Sequence, residues 1–252
     1  SSKSKLYHVW GYGDFNTENS LIQPVRYYRC RDEASLLTKF LDFWSDPDKT
    51  PDVITGWNIR FFDVPYLINR TAKILSIDAC KAFSPWRMVD HREVNRRGRT
   101  EVAYDIKGIE QLDYMELFQK FGYSYGAQES YALNHIAYVV LGEKKLSYEE
   151  AGSLKNLYKE DFQRYIDYNM KDVELVERIE DKMGLITLAM TMAYKGGVNY
   201  SDTFGVTNIW ESIIYRKLNS EKRVPPVWTP DFGKSKFAGG YVKEPHVGAH
   251  DL

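Results

Sequence analysis

Gly56-Trp57-Asn58-Ile59-Arg60-Phe61-Phe62-Asp63-Val64-Pro65-Tyr66-Leu67-Ile68-Asn69-Arg70 sets one carboxylate, Asp63, among aromatic and aliphatic neighbours. A charge in such company is costly unless something compensates it. Upstream lies Val53-Ile54-Thr55, a short β-rich run that reads as a buried strand. Downstream, the spacing predicts a helix from about Pro65 to Leu75. Two readings of Asp63 follow. Asp is a favoured helix N-cap and Pro a favoured first-turn residue, so Asp63 can serve as a cap. It also stands just past a buried strand, where α/β sheets present their ligands, and a divalent cation there would offset the desolvation of the charge. The two readings are compatible.

Strands alternate with helices to either side of this stretch. Leu6–Trp10 and Val25–Cys30 read as strands, and Glu33–Trp44 has Leu36, Leu37, Phe40, Leu41 and Trp44 at helical spacing. Ser45-Asp46-Pro47-Asp48 and Pro51 end that helix. Val89–Asp105 reads as a hairpin whose polar centre, Asn95 to Arg99, contains Gly98, able to take positive φ. Ile109–Phe121 reads as a strand running into a helix, Ser130–Leu141 as a helix, Lys159–Ala193 as a long helical stretch broken near Gly184, and Asn208–Leu218 as one more amphipathic helix. Pro225-Pro226, Pro230, Gly239-Gly240 and Pro245 give the remainder the character of extended chain. The predicted class is α/β, with a mixed central sheet flanked by helices and a protruding hairpin.

The 252 residues suffice for one large domain or two small ones. At 43% hydrophobic and 27% charged, the chain can bury a real core. A net charge of −1 provides no global attraction to nucleic acid, so a role on DNA requires local basic patches. Aromatics make up 15% of the chain; most belong in cores, although such rings also stack on unpaired bases. Cys30 and Cys80 lack the spacing of a zinc site or a disulfide framework and read as free thiols, which favours a cytoplasmic setting. The five histidines are scattered. No apolar run approaches the about 18 residues of a membrane span.

A second pattern, Tyr165-Ile166-Asp167-Tyr168-Asn169-Met170-Lys171-Asp172, puts Tyr168 and Asp172 one helical turn apart on a shared face. A phenol and a carboxylate so placed can hold one water between them. A core tyrosine beside a solvated aspartate is the plain alternative.

Together these residues resemble a known family. Asn58-x-x-x-Phe62-Asp63-x-Pro65-Tyr66 is similar to the second exonuclease motif of family B DNA polymerases, and Tyr168-x-x-x-Asp172 to the third. Leu112-Asp113-Tyr114, the hairpin and the helix before Tyr168 resemble the phage replicase branch. Phe237-Ala238-Gly239-Gly240 resembles the [Tyr/Phe]-x-Gly-Gly element between exonuclease and polymerase domains. The resemblance implies a ribonuclease H-like proofreading domain over residues 1–203, and a segment over 204–252 leading toward a polymerase palm. It implies removal of mispaired 3′ nucleotides with two cations, Mg²⁺ or Mn²⁺, about 3.5–4 Å apart. One would generate the attacking hydroxide and the other stabilise the leaving 3′ oxygen. By the same resemblance, Asp63 and Asp172 supply metal-binding carboxylates, Tyr168 orients the attacking water, and Asn58 and Phe62 line the slot for the frayed end. Arg96, Arg97 and Arg99, with Arg92 near, would touch phosphates from the hairpin tip. Phe237, Gly239 and Gly240 would contact DNA. The expected partners are single-stranded DNA or a primer-template 3′ end, the palm of the same parent chain and a sliding clamp, with no membrane.

One departure is plain. The family's first motif, a strand-borne Asp-x-Glu preceding the second, is absent. Asp32-Glu33 is adjacent, so its side chains diverge; Asp14 and Glu18 lie in turns; Asp172-Val173-Glu174 lies on a helix. The expectation is a fragment with the first motif upstream of Ser1, an active parent and an impaired piece. Two rivals stay open on the residues alone: a non-catalytic single-stranded DNA-binding module, and a module that only packs against a polymerase.

Overall fold

A computed structural model describes residues 5–96, 98–143 and 152–225. The chain divides into two compact units, residues 1–213 and 214–252; the second is described only over 214–225, part of one helix and the turn after it.

In the first unit, β1 (Tyr7–Gly11) pairs in parallel with β2 (Val25–Arg29), in the register Tyr7 to Val25. Helix α1 (Glu33–Trp44) follows, where it was predicted. Its N-cap Asp32 accepts from the Ser35 amide while Ser35 Oγ reaches back to the Asp32 amide, a reciprocal cap that satisfies two otherwise orphaned donors. Strand β3 (Val53–Gly56) then leads into α2 (Asp63–Ile74). β4 (Val89–Arg96) and β5 (Arg99–Ile106) pair antiparallel, in the register Val89 to Ile106, the hairpin expected from the polar, Gly98-containing centre between them. β6 (Glu110–Asp113) runs directly into α3 (Tyr114–Phe121) and pairs in parallel with β3, Val53 opposite Glu110. Helices α4 (Leu133–Leu141), α5 (Leu154–Glu160), α6 (Phe162–Met183) and α7 (Leu185–Gly196) follow, then α8 (Val206–Ser220). The start of α4 lies three residues later than predicted, because Ser130 is spent in the approach loop, its Oγ accepting from the Ala132 amide. α6 and α7 are separate because Gly184 takes φ +64°, a left-handed conformation that glycine adopts without steric cost.

Two clusters form most of the core. Leu112, Tyr114, Phe118, Ile136, Leu175 and Ile179 bring β6, α3, α4 and α6 together. Leu41, Val64, Ile68, Phe83, Ile106 and Ile109 join α1 and α2 to the base of the β4–β5 pair. The class is mixed α/β as expected, but the single central sheet is not seen. Among the described residues the strands form three two-stranded sheets. A groove of about 1110 Å³ is lined by Tyr7–Trp10 of β1, by Thr50–Val53 entering β3, by Phe40, Phe43 and Trp44 of α1, and by Tyr165, Met170 and Val173 of α6. One strand of each parallel pair, β1 and β3, thus contributes to its walls.

Candidate functional site

The turn Trp57–Phe62 joins β3 to α2, and its geometry is dictated locally. Gly56 permits the close approach of Ile59, whose Cγ2 would lie 2.5 Å from a Cβ built on Gly56. Asn58 sits at φ +63°, a conformation asparagine tolerates better than most residues. Its amide donates to Asp113 Oδ1 at 3.1 Å, and the Arg60 amide donates to Asp113 Oδ2 at 3.1 Å. Asp113 also caps α3, accepting from the amides of Met115 at 3.0 Å and Glu116 at 3.3 Å. One fully buried carboxylate thus ties the Asn58 turn to the start of α3. Sequence reasoning marked Leu112-Asp113-Tyr114 but did not assign this role. An Asp between a strand and an amphipathic helix is a readable cap signal; its second grip, on a turn more than fifty residues away, has no local signal.

Asp63 is the first residue of α2. It is not the N-cap, as one of the sequence readings had it: Phe62 occupies that position at φ −125° and makes no side-chain capping bond. The turn closes through its backbone instead, Val64 N donating to Ile59 O at 2.9 Å. The Asp63 residue is open to solvent. Even so, the protein surrounding its carboxyl raises its pKa above the ordinary aspartate value by desolvation, and the Asp113 charge raises it further by repulsion. Burial likewise raises Asp113, against the pull of the amides that donate to it. Ionising Asp63 is therefore costly, and a cation beside it would relieve that cost.

Tyr168 is buried on α6, and Asp172, one turn on, is half-buried with one carboxylate oxygen inaccessible to solvent. Asp167 beside them is spent on structure, accepting from Ser20 Oγ at 2.7 Å and the Leu21 amide at 3.2 Å. Hard divalent cations prefer oxygen donors, which Asp63 and Asp172 offer. Among the described residues, however, no three or more His, Cys, Asp or Glu gather to hold a metal ion. The donor chemistry of Asp63 and Asp172 nevertheless suits the ion.

Phe62 and Tyr66, four apart at the start of α2, are 67% and 61% exposed, an unusual state for large rings and one that leaves both free to stack. Arg99 is exposed at the start of β5 and lines a cavity of about 700 Å³ together with Asn58. Glu101, Met115, Gln119, Glu129, Ser130, Tyr131 and Ala132 complete its walls. Of these, none but Asn58 and Arg99 was picked from the sequence. Asn58 Oδ1 and Glu101 Oε2 are both buried and, among the described residues, accept no hydrogen bond. Each unmet acceptor costs about 1–3 kcal/mol in a folded protein. Arg92, the neighbour of the tip arginines, is engaged by Asp105 at 3.6 Å. Arg97 and the side chain of Arg96 lie outside the described residues, as do Phe237, Gly239 and Gly240.

Comparison with known proteins agrees with the motifs. Residues 11–136 match the family described as DNA polymerase family B, exonuclease domain. The chain is 32% identical over 237 residues to the DNA-directed DNA polymerase of Escherichia phage RB69, covering 92% of this chain and 25% of that protein. It is 32% identical over 233 residues to the DNA-directed DNA polymerase of Enterobacteria phage T4, again covering 92% and 25%. Against the DNA polymerase delta catalytic subunit of Candida albicans it is 29% identical over 249 residues, 94% of this chain and 23% of that one. The chain thus spans about a quarter of the length of these relatives.

Proposed function

The chain belongs to the exonuclease-domain family of family B DNA polymerases, and from that premise we propose that it is the proofreading region of a replicative polymerase, removing mispaired nucleotides from a primer 3′ end. The observation that carries this reading is the Asn58–Asp63 turn, where the second exonuclease motif meets an exposed ring, a desolvated carboxyl and a cavity shared with Arg99.

In this reading an unpaired end enters beside Asn58, with Phe62 as a stacking platform. A mismatch favours entry because it lowers the cost of unstacking the terminal base. Arg99 neutralises phosphate, and Arg96 and Arg97 extend that role along the hairpin, which helps part primer from template. Tyr168 orients water near Asp172. Phe237, Gly239 and Gly240 touch DNA in the segment 204–252, which leads toward the palm, and residues 1–203 make up the exonuclease domain. A sliding clamp belongs to the same assembly. Asp63 and Asp172 would hold Mg²⁺ or Mn²⁺, which supplies Lewis-acid activation of water and stabilisation of the leaving oxygen.

We propose further that this chain by itself is impaired, because its sequence lacks the strand-borne Asp-x-Glu of the family's first motif. The groove between β1 and β3 belongs to the same account. An extended strand carrying Asp-x-Glu and laid there would join the two parallel pairs into the one sheet of a ribonuclease H-like fold. It would also bring the two missing carboxylates.

The test is an end-labelled single-stranded oligonucleotide with Mg²⁺. The chain is expected to bind it, with affinity falling as salt rises, and to release 3′ nucleotides far more slowly than the longer parent polymerase. Release at the parent's rate, abolished by Asp63→Ala, would overturn the impairment. Tight binding without hydrolysis in the parent as well would favour the non-catalytic DNA-binding reading.

A further inference from the structure

We propose that Tyr66 is a stacking platform for the second unpaired nucleotide from a 3′ end, directly behind the one that lies on Phe62, and that it takes any base. The inference rests on the proofreading reading for its substrate and adds to it a second subsite on the outer face of α2.

The helix sets that face. Val64, Ile68 and Thr71 are buried on one side of α2. At about 3.6 residues per turn, Phe62, Tyr66, Asn69 and Lys73 leave from the other side, and all four are exposed. Phe62 and Tyr66 are joined as successive turns by the backbone, the Tyr66 amide donating to the Phe62 carbonyl at 3.0 Å. Four helical residues rise about 6 Å, nearly twice the roughly 3.4 Å between stacked bases of a duplex strand. The two rings therefore suit two bases that have come off each other, each lying on a ring of its own.

A protein partner would need a continuous apolar stripe. Here the rings are followed on the same face by a carboxamide and an ammonium group, Asn69 and Lys73. The apolar surface is thus confined to two flat rings in polar surroundings, the pattern of a single-strand site in which rings meet bases and polar or cationic groups meet the backbone. The face starts at Phe62, beside Asp63, so it is continuous with the place where the terminal nucleotide reacts. Arg70, one turn beyond Tyr66, does not extend the row: both of its bonds go to the Glu33 carboxylate on α1. Asn69 is fixed on the other flank, its Oδ1 accepting from the Tyr104 hydroxyl of β5 at 2.6 Å. The helix is braced from both sides, and the row of rings stops at two. Stacking uses the π face that every base has, so the subsite is indifferent to sequence.

The test is equilibrium binding of thymidylate mono-, di-, tri- and tetranucleotides to the chain. EDTA prevents cleavage, and about 0.2 M salt screens the charge added with each phosphate. The step from mono- to dinucleotide is expected to be about 10-fold, the order of one base stacked on one ring, and the later steps small. Tyr66→Ala should remove that step and leave mononucleotide binding unchanged. Tyr66→Phe should keep it, and adenylate oligonucleotides should repeat it. A step that survives Tyr66→Ala, a step confined to one base, or a loss shared equally by the mononucleotide would overturn the proposal and leave proofreading standing. Failure of every length to bind would overturn both. If the Tyr66-dependent step persists when a bulky group blocks the 3′ hydroxyl, the second subsite stands and the entry of a 3′ end fails.

Discussion

At Asp63 and Asp113 the fold places carboxyls where ionisation is costly. Both carboxyls are raised above the ordinary aspartate pKa, by desolvation first and by neighbouring negative charge second. The folded chain therefore binds more protons than the unfolded chain between the ordinary value and the raised one. Stability falls as pH rises through that window, and above it the full cost is present. Asp63→Asn removes the charge from one member. In EDTA its melting temperature should exceed the unsubstituted chain's at neutral pH by roughly 1–2 °C, and the difference should fade as pH falls well below the ordinary aspartate value, where both groups are protonated in either state. A variant that melts lower than its parent at neutral pH would show that Asp63 is held by bonds that need its charge. The sequence exposed the discomfort of Asp63, since the carboxylate stands visibly among apolar letters. It could not expose the cause, because Asp113 lies fifty residues further on and meets it only through the β3–β6 pairing.

At the scale of elements, boundaries set by local chemistry were legible. α1 fell where its leucine spacing put it, and the α6–α7 break fell at Gly184. α2 begins earlier than Pro65 because its first turn is closed by the backbone of the preceding turn, which no side-chain pattern announces. The same holds for the cavity: Asn58 and Arg99 came from motif and charge, but Glu101, Gln119 and Glu129 are ordinary surface letters until β5, α3 and the loop before α4 converge. Asp113 links these elements, since it caps α3 and holds the turn that leads to α2. Asp113→Ala should lower unfolding stability by about 2 kcal/mol, toward the upper end of cap losses, because the Asn58 and Arg60 amides lose their acceptor together with the α3 donors. Urea unfolding followed by circular dichroism checks this. A loss under about 0.5 kcal/mol, at the low end of cap losses, would mean that water replaces the carboxylate without penalty.

For the whole molecule, the expectation of one mixed sheet met three separate pairs. Alternation and turn chemistry fix strands one at a time, whereas a sheet is a relation among strands distant in sequence. The exposed rings Phe62 and Tyr66, the Asp63 carboxyl and the Asn58–Arg99 cavity all belong to the first compact unit, around the Gly56–Arg70 stretch. We propose that Asp63 and Asp172, far apart in sequence, serve one cation at a DNA end. The most direct measurement is Mn²⁺ binding by electron paramagnetic resonance, with a single-stranded oligonucleotide present, for the unsubstituted chain, Asp63→Asn, Asp172→Asn and the double variant. We expect weak binding by the unsubstituted chain, a loss of at least about 10-fold in either single variant, and a double variant little worse than the singles. Mn²⁺ binding that survives Asp172→Asn at the unsubstituted chain's affinity would contradict a shared ion.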